Sequence, residues 1–523
     1  MADNARVRRD GCIMALSPEK AGFIALTRFG YGARGDGDLA AAASDPRGFL
    51  KAELAQPGIT LLSGPALPRT PMAVQALFAD QAAKKAERER LEKEKADMAA
   101  AASSPAMVAN AMTAPAREKP AMEKASMESG HPQDMLQKEM TPKDMAPKPP
   151  PPPSPEGMIY KAEATARLRR AVEARVGFAE RLVAFWSNHF CISANKSQFG
   201  RITVGAFERE AIRPHVLGRF SDMLFAVESH PAMLHYLDNA QSIGPQSKIG
   251  LKSKRGLNEN FAREIMELHT LGVGGGYSQD DVTSLARILT GWTSVGPQGK
   301  EGEAGSFYFN QDTHEPGTQL LLGRAYPQYG VGQGEAVLID LARRPSTAQF
   351  IAAKFARHFI SDQPPDALIH RLAGVFQETD GDLKALTFAL IDSDEAWNAP
   401  LTKIRTPYEF LIAVHRATDH VPEDAGQILG PLNVMGMPLW TPPGPNGFAD
   451  TLAAWASPEG MKLRLDLVAQ YAAKMKDPPN PSDLLDALCS GAASAETRVA
   501  VAHAESRQQG LALLLMSPEM QRR

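Results

Sequence analysis

The stretch NENFAREIMELHTLGVGGGYSQDDVTSLARILTGW, Asn258–Trp292, decides how the chain is read. Apolar residues recur at helical spacing on both sides of a glycine triplet, which predicts two helices joined by a tight turn. Gly272 suits the left-handed position that closes the first helix, and Ser278 with Asp281 forms a capping pair at the start of the second. Seven acidic or basic residues and one histidine nevertheless sit in this helix pair. At 100° per residue from Asn260, the side chains of Arg263, Glu264, Glu267 and Leu271 share one face, beside an apolar stripe of Phe261, Ile265 and Leu268. This predicts one buried or half-buried polar site at the helix junction.

The spacing also limits the chemistry. His269 lies roughly 160° from Glu267 on a regular helix, so the two cannot point into one site. The Glu-x-x-His pattern of carboxylate-bridged dimetal proteins is missing, because Met266 stands three before His269. Gly274–Gly276 would suit a phosphate at the next helix N-terminus, but Asp280 and Asp281 in its first turn repel one, and no Gly-Lys-Ser/Thr follows. The second helix buries Val282, Leu285, Ile288 and Leu289 and leaves Arg287 to meet a carboxylate.

Two further polar blocks precede this stretch. FWSNHFCISANKSQFGR (185–201) ends an apolar helix on Asn188 and His189; such a histidine is either a hydrogen-bonded core residue or part of a pocket. ESHPAMLHYLDNAQS (228–242) sets His235 and Asp238 three apart, either as a capping or surface pair or as two metal ligands. Asp312 and His314 before a turn mean little alone. G-x-S-x-G, H-E-x-x-H and strand-borne G-x-G-x-x-G patterns do not occur, which removes the usual evidence for serine hydrolases, zincins and dinucleotide enzymes.

Outward from these blocks, the chain has 523 residues, 43% of them hydrophobic, with a net charge of −3 and three cysteines. That charge gives no basic field for nucleic acid, and Cys12, Cys191 and Cys489 are too scattered for a disulfide framework or a cysteine zinc site. No apolar run is long enough for an integral membrane segment, and no leader is visible at the N-terminus, so a cytoplasmic location is expected, with periplasmic export as the alternative.

Residues 1–69 read as the N-terminal helices of the main domain, with Ser17 and Asp45 as N-caps. Residues 70–157 read as an insertion: a charged helix with almost no apolar face, then a Met/Pro-rich disordered tract ending in a proline run at Pro149–Pro153. Met122, Met127, His131, Met135, Met140 and Met145 recur there without the tight spacing of a Cu(I) site. Residues 158–523 complete one large helical domain. The expected fold is all-α, with a long low-complexity insertion and at most a short β-hairpin around SFYFNQDTHEPGTQLLLG (306–323).

FWSNHF, MLHYLDN, the opening stretch, DTHEPGTQLLLG and the closing LLLMSPEMQRR, in this order, resemble the bacterial family catalogued as domain of unknown function 1800. The resemblance runs from Ala21 to the C-terminus apart from the insertion. It implies a helical protein of unestablished activity, and as partner a sulfatase-like, exported protein encoded nearby. The chain departs from relatives in lacking a visible leader, in its insertion, and at TPPGPNGFADTLAAW (441–455), where Phe448 replaces the tryptophan of a Pro-Pro-x-x-x-Gly-Trp pattern.

Two functions fit these residues. The preferred one is a scaffold or partner-binding protein whose Arg/Glu/His blocks lock helix junctions. The alternative is a metal-assisted or acid/base hydrolase, with Glu264, Glu267, Arg263 and His189 as catalytic candidates. His235, Asp238 and His269 are then the candidates to ligate a divalent metal as cofactor.

Overall fold

In the computed structural model of the protein, residues 16–35, 37–102, 153–253 and 256–523 are described. The methionine tract and nearly all of the proline run lie outside the described residues. Two units are distinguished: residues 1–77 with 155–523, and residues 78–154. In the second, the helix Thr70–Ala102 continues past Leu77 with i,i+4 ion pairs such as Lys84–Asp80 and Arg88–Glu92 along an exposed surface. The first turns of that helix belong to the first unit, where Ala73 and Leu77 are buried against Ile202.

The first unit is built of helices, as the 3.6-residue periodicity predicts. Ser17 caps Pro18–Ile24, and Asp45 caps Pro46–Leu54 by accepting from the Gly48 amide. Ser278 and Asp281 form a reciprocal capping box on Gln279–Ile288. The helix Phe178–His189 runs through the core with Leu182, Phe185 and Trp186 buried, and Trp292 is fully buried as well. The helix Pro345–Phe359 packs beside it, with Phe355 and Phe359 against Phe185. Strand content is two short antiparallel pairs: Trp292–Ser294 with Phe307–Phe309, and Gln319–Leu321 with Arg324–Tyr326. The segment read as one hairpin therefore supplies strands to both pairs. Among the described residues no helix is long and apolar enough to cross a membrane.

Two features of the interior are not legible as periodicity. Among the described residues seven arginines, Arg28, Arg181, Arg213, Arg405, Arg416, Arg464 and Arg523, are fully buried. Most donate to backbone carbonyls at loops and helix ends: Arg28 to Ala396 and Ala399, Arg181 to Gly30, Arg416 to Val172 and Arg175. Helix ends leave their last carbonyls without intrahelical partners, and a guanidinium with five donors in a fixed fork satisfies several at once. The second feature is three π-helical turns that interrupt α-helices, at Ala25–Phe29, Glu208–Ile212 and Ile265–His269. Such turns re-aim side chains and recur at functional sites.

Candidate functional site

The π-turn at Ile265–His269 overturns the wheel drawn from sequence. Arg263 and Glu267 lie at the surface, with side chains 37% and 27% exposed and an Nη1–Oε1 distance of 3.7 Å. Arg263 also reaches Glu259 and the Gln279 side chain. Of the buried or half-buried site expected from a regular helix, the Arg263–Glu267 pair is partly exposed, and half-buried Glu264 lies within electrostatic reach of both. The wider turn also sets His269, five residues on, within electrostatic reach of Glu264. Gly272, at φ +80°, ends the turn; a Cβ there would meet Phe350 at 2.8 Å. The left-handed closing position read from the sequence is therefore present, and it is packed as well as turned.

His269 is buried, and its Nδ1 lies 2.7 Å from Glu228 Oε1, itself fully buried. A carboxylate oxygen accepts, so Nδ1–H donates and the lone pair of the neutral ring is at Nε2. Among the described residues Nε2 has no hydrogen-bond partner. A carboxylate that fixes the tautomer and orientation of an imidazole with one free nitrogen is the arrangement of a general base.

His189 lies behind His269. Its Nε2–H donates to the His269 carbonyl at 3.1 Å, which leaves Nδ1 to accept from Lys354 Nζ at 2.9 Å. Burial, followed by the charge of Lys354, pushes the His189 pKa well below the usual imidazole value. His189 is thus a neutral residue that positions Lys354. Lys354 packs against the Phe350 face and has no carboxylate hydrogen-bonded to it; burial lowers its pKa to about 8. Both nitrogens of His189 are satisfied, as in the core reading of the sequence, yet one of them holds a cation that among the described residues has no carboxylate hydrogen-bonded to it, with Asp450 only within electrostatic reach.

Three more groups lie within electrostatic reach of this set. Glu264 is half-buried, accepts no hydrogen bond among the described residues, and has its pKa raised by burial. Tyr236 is also without a hydrogen-bond partner there; burial, then Cys191 and Glu264, push its phenol well above the usual range. Cys191 donates to the Gly444 and Pro445 carbonyls at 3.4 and 3.2 Å, and burial raises its thiol to about 12. Cys191 is therefore a protonated wall residue and not a nucleophile.

The other candidates lie elsewhere. His235 Nε2 is 2.8 Å from Ser294 Oγ, and the ring stacks on Phe199. Asp238 pairs with Lys196 at 2.8 Å. Their helix ends at Tyr236 and Asp238 takes a left-handed φ of 59°, so the three-residue spacing is not helical and the pair does not share a face. His235, Asp238 and His269 do not come together, and among the described residues no three His, Cys, Asp or Glu side chains are grouped to hold a metal ion. His314 lies under the Thr290 backbone, with Nδ1 2.9 Å from its carbonyl.

Cys191 also lines a cavity of about 90 Å³. Its walls include Ala184, Val204, Phe207, Met437, Leu439 and Phe448. TPPGPNGFAD (441–450) forms part of this wall, clamped by Asn188, whose side chain bonds both the amide and the carbonyl of Phe448. Trp440, a bulky residue at φ 51°, is held by its Nε1–H to Glu208 at 3.1 Å, by Arg167 over its ring and by the Ala194 amide on its carbonyl. Left-handed backbone at such a residue costs on the order of 1–3 kcal/mol and is retained where surroundings over-determine it.

The cavity's charged groups are paired with one another. Glu208 accepts from Arg213 and Ser187 as well as Trp440, and Arg167 lies 3.2 Å from it. His358 Nδ1–H donates to Asp450, its Nε2 accepts from Arg181, and Arg181 and Arg523 share Glu409. His358, held down to about 4 by burial, and Asp450, held at about 2 by His358 and Arg523 despite its burial, therefore offer no free acid or base.

Sequence reasoning missed Glu228, Tyr236, Cys191 and Lys354. Signals existed for two of them. Glu228 is the one acid late in the apolar run MLFAVESHPAML, and Lys354 is a lysine set between apolar residues at the start of IAAKFARHF. What joins them is tertiary.

No curated protein and no solved structure matches the chain. The model of the family described as Protein of unknown function (DUF1800) matches residues 24–522, nearly the whole length. The chain belongs to that family.

Proposed function

We propose that the protein is a hydrolase of the general acid–base type, with its site at His269, Glu264, Tyr236 and Lys354. One observation carries this reading: a carboxylate-held imidazole with a free Nε2 stands among a carboxyl and a phenol without hydrogen-bond partners and an ammonium without a hydrogen-bonded carboxylate among the described residues. Leaving such groups half-buried and unpaired costs stability, and that cost is kept where function uses it.

The chemistry follows from the four groups. His269 Nε2 takes a proton from water as the water oxygen bonds to the electrophilic centre of the substrate ester, carbon, phosphorus or sulfur. Lys354 and the Tyr236 hydroxyl face the oxygen on which negative charge develops. Glu264, its pKa raised, gives a proton to the leaving oxygen as that bond breaks. The proton on His269 then returns to Glu264, within whose electrostatic reach it lies. Glu228 and His189 are positioning residues. Partner binding beside a sulfatase-like protein rests on the family resemblance alone.

The test is turnover of chromogenic carboxylate, phosphate and sulfate esters by the purified protein. One class is expected to turn over, and His269→Asn is expected to lower kcat by roughly 10²–10⁴-fold, the usual worth of a positioned base. Turnover at the wild-type rate in His269→Asn, or none with any ester class, breaks the reading.

A further inference from the structure

The groups of the proposed site and the cavity meet at Cys191. Its thiol lines the cavity and lies within electrostatic reach of Lys354 and Glu264. His358, one turn beyond Lys354 on the helix Pro345–Phe359, lines the same cavity, as does Asp450, also within reach of Lys354. The two halves offer opposite chemistry. One end is an ammonium that, among the described residues, hydrogen-bonds only to a neutral imidazole. The other is a pocket walled by aliphatic and aromatic carbon, whose charged groups are satisfied by each other.

We propose that this composite site takes a short aliphatic acyl group, with the carbonyl or carboxylate end at Lys354 and the hydrocarbon tail in the cavity beyond Cys191. A walled apolar space with a few convergent polar groups at one end is the usual form of a small-molecule site. Size sets the tail. Cavities of about 150 Å³ take benzene, so the smaller volume here suits a chain of a few carbons and excludes an aromatic ring. Charge sets the head. The charged partners of the cavity wall are saturated, Asp450 among them by His358, Arg523 and Lys403, so an anionic group gains nothing there and gains at Lys354 a cation with no carboxylate hydrogen-bonded to it. The strained Trp440 and the Asn188 clamp on Phe448 hold the wall in place without touching the ammonium. The inference deepens the hydrolase reading and rests on its placement of Lys354 at the carbonyl end of the substrate: the site would hold the acid product of a short-chain ester.

Binding can be read without turnover, by calorimetry of the full-length protein with straight-chain carboxylates from acetate to octanoate, and with benzoate. Affinity is expected to rise with chain length to about pentanoate and then fall, with benzoate weak. Ala184→Leu, which fills the cavity from a helix position, is expected to weaken pentanoate at least tenfold while leaving acetate unchanged. Lys354→Met is expected to weaken both. Wild-type binding is expected to fade as pH rises through about 8, where the ammonium is lost. Absence of pentanoate binding, affinity that does not depend on chain length, or equal binding in Ala184→Leu would overturn the proposal. The chain-length series needs only the wild-type chain, so a variant that fails to fold does not rescue the idea. Ester turnover without pentanoate binding would sink the pocket and leave the acid–base chemistry standing. Pentanoate binding without turnover would do the reverse.

Discussion

Two polar regions lie within one helical unit, and their difference separates structure from function. Around Glu208, Glu409 and Asp450, every carboxylate is matched by arginine: Arg213 grips Glu180 through both Nη atoms at 2.9 Å and Glu208 through Nε at 3.0 Å. Around Glu264, a carboxyl, a phenol, an imidazole nitrogen and an ammonium share electrostatic reach without closing on one another. The cations differ in kind as well. Arginine stays charged and makes a planar fork suited to fixed pairs, whereas lysine shifts its pKa readily when buried. Matched charges in the first region lock helices together. Unmatched charges in the second are a cost that folding does not require.

The largest expected effect tests the closed region. Glu208→Gln should cost about 3–5 kcal/mol, because it leaves Arg167 and Arg213 buried with a neutral acceptor, and breaking a buried pair is far more damaging than never having made it. Urea denaturation followed by circular dichroism measures this. A loss below about 1 kcal/mol would mean that the network is not what holds these helices.

Next in size, and opposite in sign, is Lys354→Met. With its folded pKa lowered to about 8 from 10.5, Lys354 carries a full cost below pH 8, where both folded and unfolded chains hold the proton. From pH 8 to 10.5 the folded chain has released it and the unfolded chain has not, so stability rises with pH. Above 10.5 the cost is gone. Lys354→Met should therefore be more stable than wild type by about 0.5–2 kcal/mol at pH 7, the usual gain from relieving such a site. Its advantage should close between pH 8 and 10.5. Thermal melts across that range decide it, and a destabilised variant at neutral pH would move Lys354 into the structural class.

How much of this was visible in the sequence divides along the same line. Helix positions, caps, the buried Trp186 and Trp292 and the strand-poor, helical class follow from spacing and cap chemistry, which are local. The closing Gly272 follows likewise. The candidate site is less legible. Counting 100° per residue describes an α-helix through His269, whereas the π-turn brings His269 as well as Arg263 and Glu267 within electrostatic reach of Glu264. His235 and Asp238 were paired by the same assumption, which the left-handed Asp238 breaks. The buried arginines were not legible at all, because composition places arginine at the surface and only the folded chain shows which carbonyls lack donors.

A smaller effect belongs to the exposed pair that the sequence placed at the centre. Arg263→Ala removes a guanidinium 3.5 Å from Glu259 and 3.7 Å from Glu267, both in contact with solvent. Such pairs are worth about 0.2–1 kcal/mol and weaken with salt. The variant should melt close to wild type in 0.5 M salt and should keep ester turnover within about tenfold, since Arg263 makes no hydrogen bond to Glu264 and acts on it only through a partly solvent-exposed charge. A hundredfold loss of turnover would return Arg263 to the site.

The smallest expected change in stability is also the sharpest test of the comparison. Glu264 has its pKa raised by burial, so the ionised form is disfavoured in the folded chain. A carboxyl shifted upward binds its proton more tightly folded than unfolded, which makes stability fall as pH rises above the unfolded value near 4.5 and leaves the full cost in place at neutral pH. Glu264→Gln removes that cost and breaks no hydrogen bond among the described residues. At pH 7 its stability should equal wild type within about 0.5 kcal/mol or slightly exceed it, and any advantage should vanish toward pH 4.5. Turnover should nevertheless fall, since an amide has no proton to give the leaving group. If Glu264→Gln instead loses 1–3 kcal/mol, a range about that of an orphaned buried partner, then the carboxylate is paired after all. The two regions would then be one structural network, as the scaffold reading requires.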